Sequence, residues 1–252
     1  MTGGDDVTTN RTTAPIDSLV ATGRGDDGTT GLLYGGPRIE KDDPRTEAYG
    51  TIDEAVAALG IARAELGLKA QYGILGPALG TLAEVILRLQ RELFVVGAEL
   101  ATTPEAWDRL VDGKTRVSSA MVDELTRMVV ELEPRIEMPR EFVVPGETRT
   151  SAALELARTI IRRAERRAVG LRRAGLLPGE HLLPYLNRLA DLVWVLARAA
   201  EQAEARSSTP ARPGTGGTRR ARPPRDSKAS PEAAGETTTN QPARPSTRSD
   251  RR

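Results

Sequence analysis

The sequence predicts an all-α protein: a five-helix bundle behind a long N-terminal loop, followed by a disordered C-terminal tail. Three observations carry this. Apolar residues recur every three or four positions in five segments between Pro44 and Ala205, the spacing of one helix face. Few segments alternate as a half-buried strand would. From about Ser207 the chain is proline, glycine, serine, threonine and arginine, too poor in apolar surface to offset chain entropy. The hydrophobic fraction of 38% and aromatic fraction of 3% are low for 252 residues, as expected if part of the chain does not fold. The expected organisation is a disordered N-terminus over 1–16, a helical domain over 17–206 and a disordered basic tail over 207–252.

In chain order, the N-terminus is acidic and polar, unlike a signal peptide. No apolar run is long enough to span a bilayer, so no membrane association and a cytoplasmic location are expected. "GRGDDGTTG" (23–31) fits G-x-G-x-x-G through Gly23, Gly25 and Gly28. That fingerprint binds a dinucleotide only when a strand feeds it and a helix opens behind it. Here a poor strand precedes it and helix-breaking glycines and prolines follow. No Gly-Lys-Ser/Thr completes a Walker A loop. What remains is an amide-rich loop with hydroxyls at Thr22, Thr29 and Thr30 and a cation at Arg24, which either wraps an anion or is a surface turn. Asp26 and Asp27 either flank a Mg²⁺ ion or fix the loop's own amides.

The first helix is expected over 44–66, with Pro44 near its first turn. The second, over 76–101, carries Leu79, Leu82, Ala83, Ile86, Leu89, Leu93, Val96 and Leu100 on one face. The third, over 118–136, takes Ser118 or Ser119 as its cap. The fourth, over 148–175, has the stripe Ala153, Ala157, Ile160, Ile161, Ala164, Ala168 and Leu171. Beside that stripe fall Arg158, Arg162 and Glu165, with Arg163 and Arg167 on the opposite flank. Like charges one turn apart repel unless something negative meets them, so this is either a solvated cationic face or an anion site built from forked guanidinium groups. The fifth helix, over 179–205, has the stripe Leu183, Leu186, Ala190, Val193, Ala197 and Ala200. Asn187 beside it is a nucleoside ligand or a surface amide. Asp191 is expected to pair with an arginine of the fourth helix, Tyr185 and Trp194 to pack, and His181 to lie at the surface.

The chain has no cysteine, so disulfides, thiolate nucleophiles and cysteine-bound metals are excluded. Its single histidine makes a histidine metal site or triad improbable, and no protein-only metal site is assigned. Net charge is +1 while the tail is basic, so the helical part is mildly acidic. The tail is either a solvated solubilising segment or a polyanion contact.

Five separated segments together resemble the PduO-type ATP:cob(I)alamin adenosyltransferases: "TGRGDDGTTGLLYGG", "KDDPRTEAYGTIDEAVAALG", "LQRELFVVGAELAT", "FVVPGETRTSAALELARTIIRRAERR" and "YLNRLADLVWVLAR". Order and spacing agree over about residues 20–203. The resemblance implies a homotrimer of five-helix bundles with ATP at each subunit interface and Mg²⁺ with the triphosphate. It implies that Thr22, Arg24, Gly25, Asp26, Gly28, Thr29 and Thr30 line the phosphates, with Lys41 nearby. Arg162, Glu165 and Asn187 would contact the nucleotide, Arg158 would pair with Asp53 across the interface, and Phe142 would lie on the corrinoid side. An adenosylcobalamin-dependent enzyme would be a possible acceptor of the product. The sequence departs from the family's usual residues at Ala21, Gly23, Glu147 and Glu155, the last of which replaces a frequent histidine.

The implied reaction is displacement at carbon. Cob(I)alamin attacks C5′ of ATP and triphosphate leaves, so the protein supplies alignment and charge stabilisation and no nucleophile of its own. A phenylalanine against the corrin face would exclude a lower axial ligand and ease reduction of the cobalt. Two other readings are a non-catalytic nucleotide- or corrinoid-binding bundle and polyanion binding through the tail.

Overall fold

Asp43 and Pro44 set the start of the first helix. The Asp43 carboxylate accepts from the Arg45 amide at 2.7 Å and caps the turn, while Pro44 takes a position where no intrahelical amide bond is lost. In this computed structural model, which describes residue 18 and residues 20–71 and 77–212, the helices are α1 (Pro44–Gln71), α2 (Pro77–Leu100), α3 (Ser119–Leu132), α4 (Arg149–Arg173) and α5 (Leu182–Ala203). The expected disordered segment 1–16 and the tail beyond residue 212 lie outside the described residues.

The architecture is the expected all-α five-helix bundle, and the differences lie at helix ends. α1 runs five residues past its expected end, from 66 to Gln71. Lys69 near its last turn donates to Thr150 Oγ1 at 2.7 Å and pairs with Glu204, so tertiary partners hold the extra turn. α3 stops at Leu132 and continues as a 3-10 turn, Glu133–Arg135. Pro134 has no amide to donate and crowds the preceding turn, which ends the α-helix there. Ser118 is the cap residue of α3, but its side chain makes no capping bond. α4 opens with a reciprocal cap, Ser151 N to Thr148 Oγ1 at 3.0 Å and Thr148 N to Ser151 Oγ at 3.2 Å.

α1 packs against both α2 and α4, α5 packs against α4, and α3 lies on α5. The α2 stripe Leu82, Ile86, Leu89, Leu93, Val96 and Leu100 is buried, as are Ala153, Ala157, Ile161, Ala164, Ala168 and Leu171 of α4. α5 is buried more widely than one stripe. Leu182, Leu189, Leu192 and Leu196 join the expected set, and so do the charged Arg198 and Glu201. Arg45 ties the base of the bundle together: its guanidinium donates to the carbonyls of Leu100 and Thr102 (2.7 Å each) and Leu176 (2.8 Å).

Two small antiparallel ladders flank the bundle. β1 (Thr29–Thr30) pairs with β2 (Ile39–Glu40), closing the N-terminal loop into a hairpin. β3 (Val143–Val144) pairs with β4 (Thr209–Pro210), so residues 207–212, expected at the start of the disordered tail, are partly engaged with the domain.

Candidate active site

The loop holds its shape through its own polar groups. Asp26 N donates to Gly23 O and Gly28 N to Gly25 O, both at 3.2 Å, making two successive turns. Gly28 sits at φ 84°, in the left-handed region that favours glycine. The Asp27 carboxylate accepts from the Thr29 amide at 2.9 Å and hydroxyl at 2.8 Å. These bonds, the backbone one first, hold its pKa below the usual carboxylate value. Asp27 therefore fixes the loop's amides, one of the two roles the sequence left open for the acidic pair. Asp26 is exposed.

Two cations converge on this loop. Lys41 Nζ donates to Gly25 O at 2.6 Å, and a Cβ on Gly25 would lie 3.0 Å from that nitrogen. Arg38 donates to Thr29 Oγ1 at 2.6 Å, Arg24 O at 2.6 Å and Thr29 O at 2.9 Å. The expected residues Thr22, Arg24, Gly25, Asp26, Gly28, Thr29 and Thr30 thus run along the loop into β1, and Lys41 reaches back to it from just beyond β2. Arg38 was absent from the expected set. It reaches the loop from the other arm of the hairpin, a relation no helical or strand periodicity signals.

The second group lies on α4 and α5. A pocket of about 280 Å³ is lined by Arg158 and Arg162 of α4, Ala190, Asp191, Trp194 and Val195 of α5, and Val129, Glu133 and Met138. Trp194, expected only to pack, therefore also forms pocket wall. Arg162 is exposed. Glu165 Oε1 lies 3.4 Å from Asn187 Nδ2, so these two expected ligands meet, at a long distance. Phe142 is 89% exposed beside β3, and its carbonyl accepts from Ala211 N at 2.7 Å.

One pairing differs from expectation, that of Asp191. Asp191 pairs with Arg188 on its own helix at 3.0 Å, because that partner is one turn away. Arg158 donates to Glu155 at 2.7 Å and leaves Glu165 to Asn187. Asp53 is exposed and has no contact with Arg158 in its own chain, the pair being expected between subunits. Among the described residues no hydrogen bond or ion pair joins the loop group to the α4–α5 group. The opposite flank of α4 is occupied: Arg163 pairs with Glu54, and Arg167 with Glu47 at 2.6 Å and with Thr51. Tyr185 packs as expected, fully buried, its hydroxyl donating to Glu92 at 2.9 Å.

Comparison with known proteins gives concordant results. The cobalamin adenosyltransferase family matches residues 20–200. The corrinoid adenosyltransferase of Citrobacter freundii is 36% identical over 182 residues, 72% of this chain and 94% of that protein. That of Bacillus subtilis is 38% identical over 175 residues, 69% of this chain and 82% of that protein. Among solved structures, a variant of the PduO-type ATP:corrinoid adenosyltransferase from Lactobacillus reuteri, complexed with cobalamin and ATP, superposes with a TM-score of 0.64. It is 28% identical and covers 76% of this chain and 98% of that one.

Proposed function

The chain belongs to the cobalamin adenosyltransferase family, and from that premise we propose how its own residues transfer the 5′-deoxyadenosyl group of ATP to cob(I)alamin, giving adenosylcobalamin and triphosphate. The observation that carries the reading is the pocket between α4 and α5, which sets two arginines, Arg158 and Arg162, beside an aromatic wall at Trp194. The cobalt electron pair forms a bond to C5′ while the C5′–O bond breaks, and its electrons leave with the triphosphate. No protein nucleophile is required, in keeping with a chain that has no cysteine and one histidine.

The leaving group gains charge, so fixed donors aimed at it lower the barrier. We assign this to Arg162 and to the loop: Thr22, Arg24, Gly25, Gly28, Thr29, Thr30 and Lys41, with Arg38 holding the hairpin. Asn187 and Glu165 hold the nucleoside. Phe142, exposed beside β3, lies against the corrin and keeps a lower ligand from the cobalt.

The loop and the pocket are not joined within one chain, which supports a site completed by a second copy. We therefore place the active species as a homotrimer in which Asp53 of one copy meets Arg158 of the next. Among the described residues no group of three His, Asp or Glu side chains could hold a metal ion alone. Mg²⁺ would be held mainly by the phosphate oxygens, with the exposed Asp26 as a candidate carboxylate ligand. Bound in this way, it would neutralise triphosphate charge. Among the described residues no helix is long and apolar enough to cross a membrane. We place the reaction in the cytoplasm, beside its ATP supply, with an adenosylcobalamin-dependent enzyme as acceptor of the product.

The test is anaerobic. Reduced cobalamin with MgATP should yield the absorbance of a cobalt–carbon bond and one triphosphate per turnover. Binding of ATP and corrinoid without either product would leave a non-catalytic bundle. Nucleic-acid binding that falls steeply with salt and vanishes with the tail would support the polyanion reading for that segment.

A further inference from the structure

Behind the pocket wall lies a buried ionic chain that the reaction as described leaves unused. Arg198 is fully buried. Its Nη2 donates to Glu201 Oε1 at 2.8 Å and lies 3.2 Å from Glu155 Oε1, the latter without hydrogen-bond alignment. Its Nε and Nη1 have no hydrogen-bond partner, and the guanidinium lies 5.6 Å from the Trp194 ring centroid. Glu155, 3% exposed, gives its second oxygen to Arg158 Nε at 2.7 Å. Glu201, 1% exposed, gives its second oxygen to the Ser208 hydroxyl. The order is Ser208, Glu201, Arg198, Glu155, Arg158: two cations and two anions, neutral as a set, ending at the pocket.

We propose that Glu155, held from behind by Arg198, is the positioning residue that presents Arg158 at the pocket rim. The physical argument is one of alternatives. Arg158 is half-buried and has no other ion-pair partner among the described residues. Glu155 is nearly sealed from water, and a carboxylate buried this far is costly unless cations face it. Arg198 supplies the second cation, and Glu201 in turn neutralises Arg198. The carboxylate faces the two cations with separate oxygens, hydrogen-bonded to Arg158 and within ion-pair distance of Arg198. The histidine expected at this position from family resemblance would be ill-suited to answer two guanidinium groups, so the departure at Glu155 belongs with the buried Arg198–Glu201 pair.

The proposal rests on the assignment of Arg158 to the subunit interface, and the experiment separates the two. Glu155→Gln and Arg158→Ala are made singly and together in the full chain. The trimer dissociation constant is read by sedimentation and catalytic efficiency for ATP in the anaerobic assay. Each single variant should weaken the trimer and lower efficiency by about tenfold, the scale of one charge-assisted contact. On the Arg158→Ala background, Glu155→Gln should add nothing to either quantity. Independent, multiplying effects would overturn the proposal, because Glu155 would then act through the core. If Arg158→Ala changes neither quantity, the interface assignment falls and the proposal with it. Should Glu155→Gln fail to fold, Glu155→Asp, which keeps the charge and withdraws the oxygens, takes its place with the same non-additivity expected. A melting temperature lowered by all variants, with neither quantity coupled, would count as a structural role only and reject the proposal.

Discussion

The two flanks of α4 carry the same residue type and face different surroundings. Arg163 and Arg167 lie against α1, where Glu54, Glu47 and Thr51 occupy them. Arg158 and Arg162 lie on the flank that borders the α4–α5 pocket, and Arg162 is exposed. One flank is neutralised inside the chain, so it joins helices. The other keeps a cation available, so it can receive an anion. An arginine's role here follows from which helix is its neighbour, and neither residue type nor charge density separates the two.

The largest expected effect breaks this comparison directly. Arg162→Ala should lower catalytic efficiency for ATP about ten- to hundredfold, the loss of a hydrogen bond to a charged group worth roughly 1.5–3 kcal/mol. Arg163→Ala should leave ATP kinetics near wild type. Steady-state kinetics on both variants decide whether the flanks differ in function.

Next is assembly. Arg158→Ala should dissociate the proposed trimer at concentrations where wild type is intact, with activity falling as a consequence. The exchange Asp53→Arg with Arg158→Asp should restore part of the assembly in sedimentation. If Arg162→Ala dissociates the trimer while Arg158→Ala alters only ATP kinetics, the two roles are inverted.

A smaller effect belongs to the α1 flank. Arg167→Ala removes a pair whose side chains are 34% and 50% exposed, so screening limits its worth to about 1 kcal/mol or less. For a domain of this size that is a fall of roughly 2–4 °C in melting temperature. The KM for ATP should not move.

The smallest effect sharpens the tail boundary. Truncation after Arg212 should leave melting temperature and turnover unchanged, since the deleted segment has no core-forming pattern. Truncation after Arg206 removes β4 and the Ser208 and Thr209 contacts to Glu201 and Glu147. It should cost a measurable but small amount of stability, read as the difference between the two truncations.

The helices were legible because burial imposes a period on the sequence. The stripes of α2 and α4 are the buried faces, and all five helices are present. Their ends were less legible. Pro134 is a local stop that the periodic pattern ran past, and α1 continues beyond Leu66 because Lys69 finds partners on α4 and beside α5. The loop's amides and hydroxyls were legible as a group from composition, and Lys41, which only the family resemblance brought near, meets Gly25. Arg38 was not, since its contacts depend on hairpin register. The Glu155–Arg198 pairing joins two helices, and β3–β4 joins segments far apart in sequence, so neither leaves a local trace. Asp191 was misassigned because a partner one turn away competes well with any partner on another helix.

The most direct measurement is calorimetric titration of inorganic triphosphate, with Mg²⁺, into wild type, Arg162→Ala and Arg163→Ala. It isolates the leaving group from adenosine and corrinoid contacts. The account predicts that Arg162→Ala loses about ten- to hundredfold in affinity while Arg163→Ala binds as wild type does. Equal losses in both variants, or a loss confined to Arg163→Ala, would contradict it.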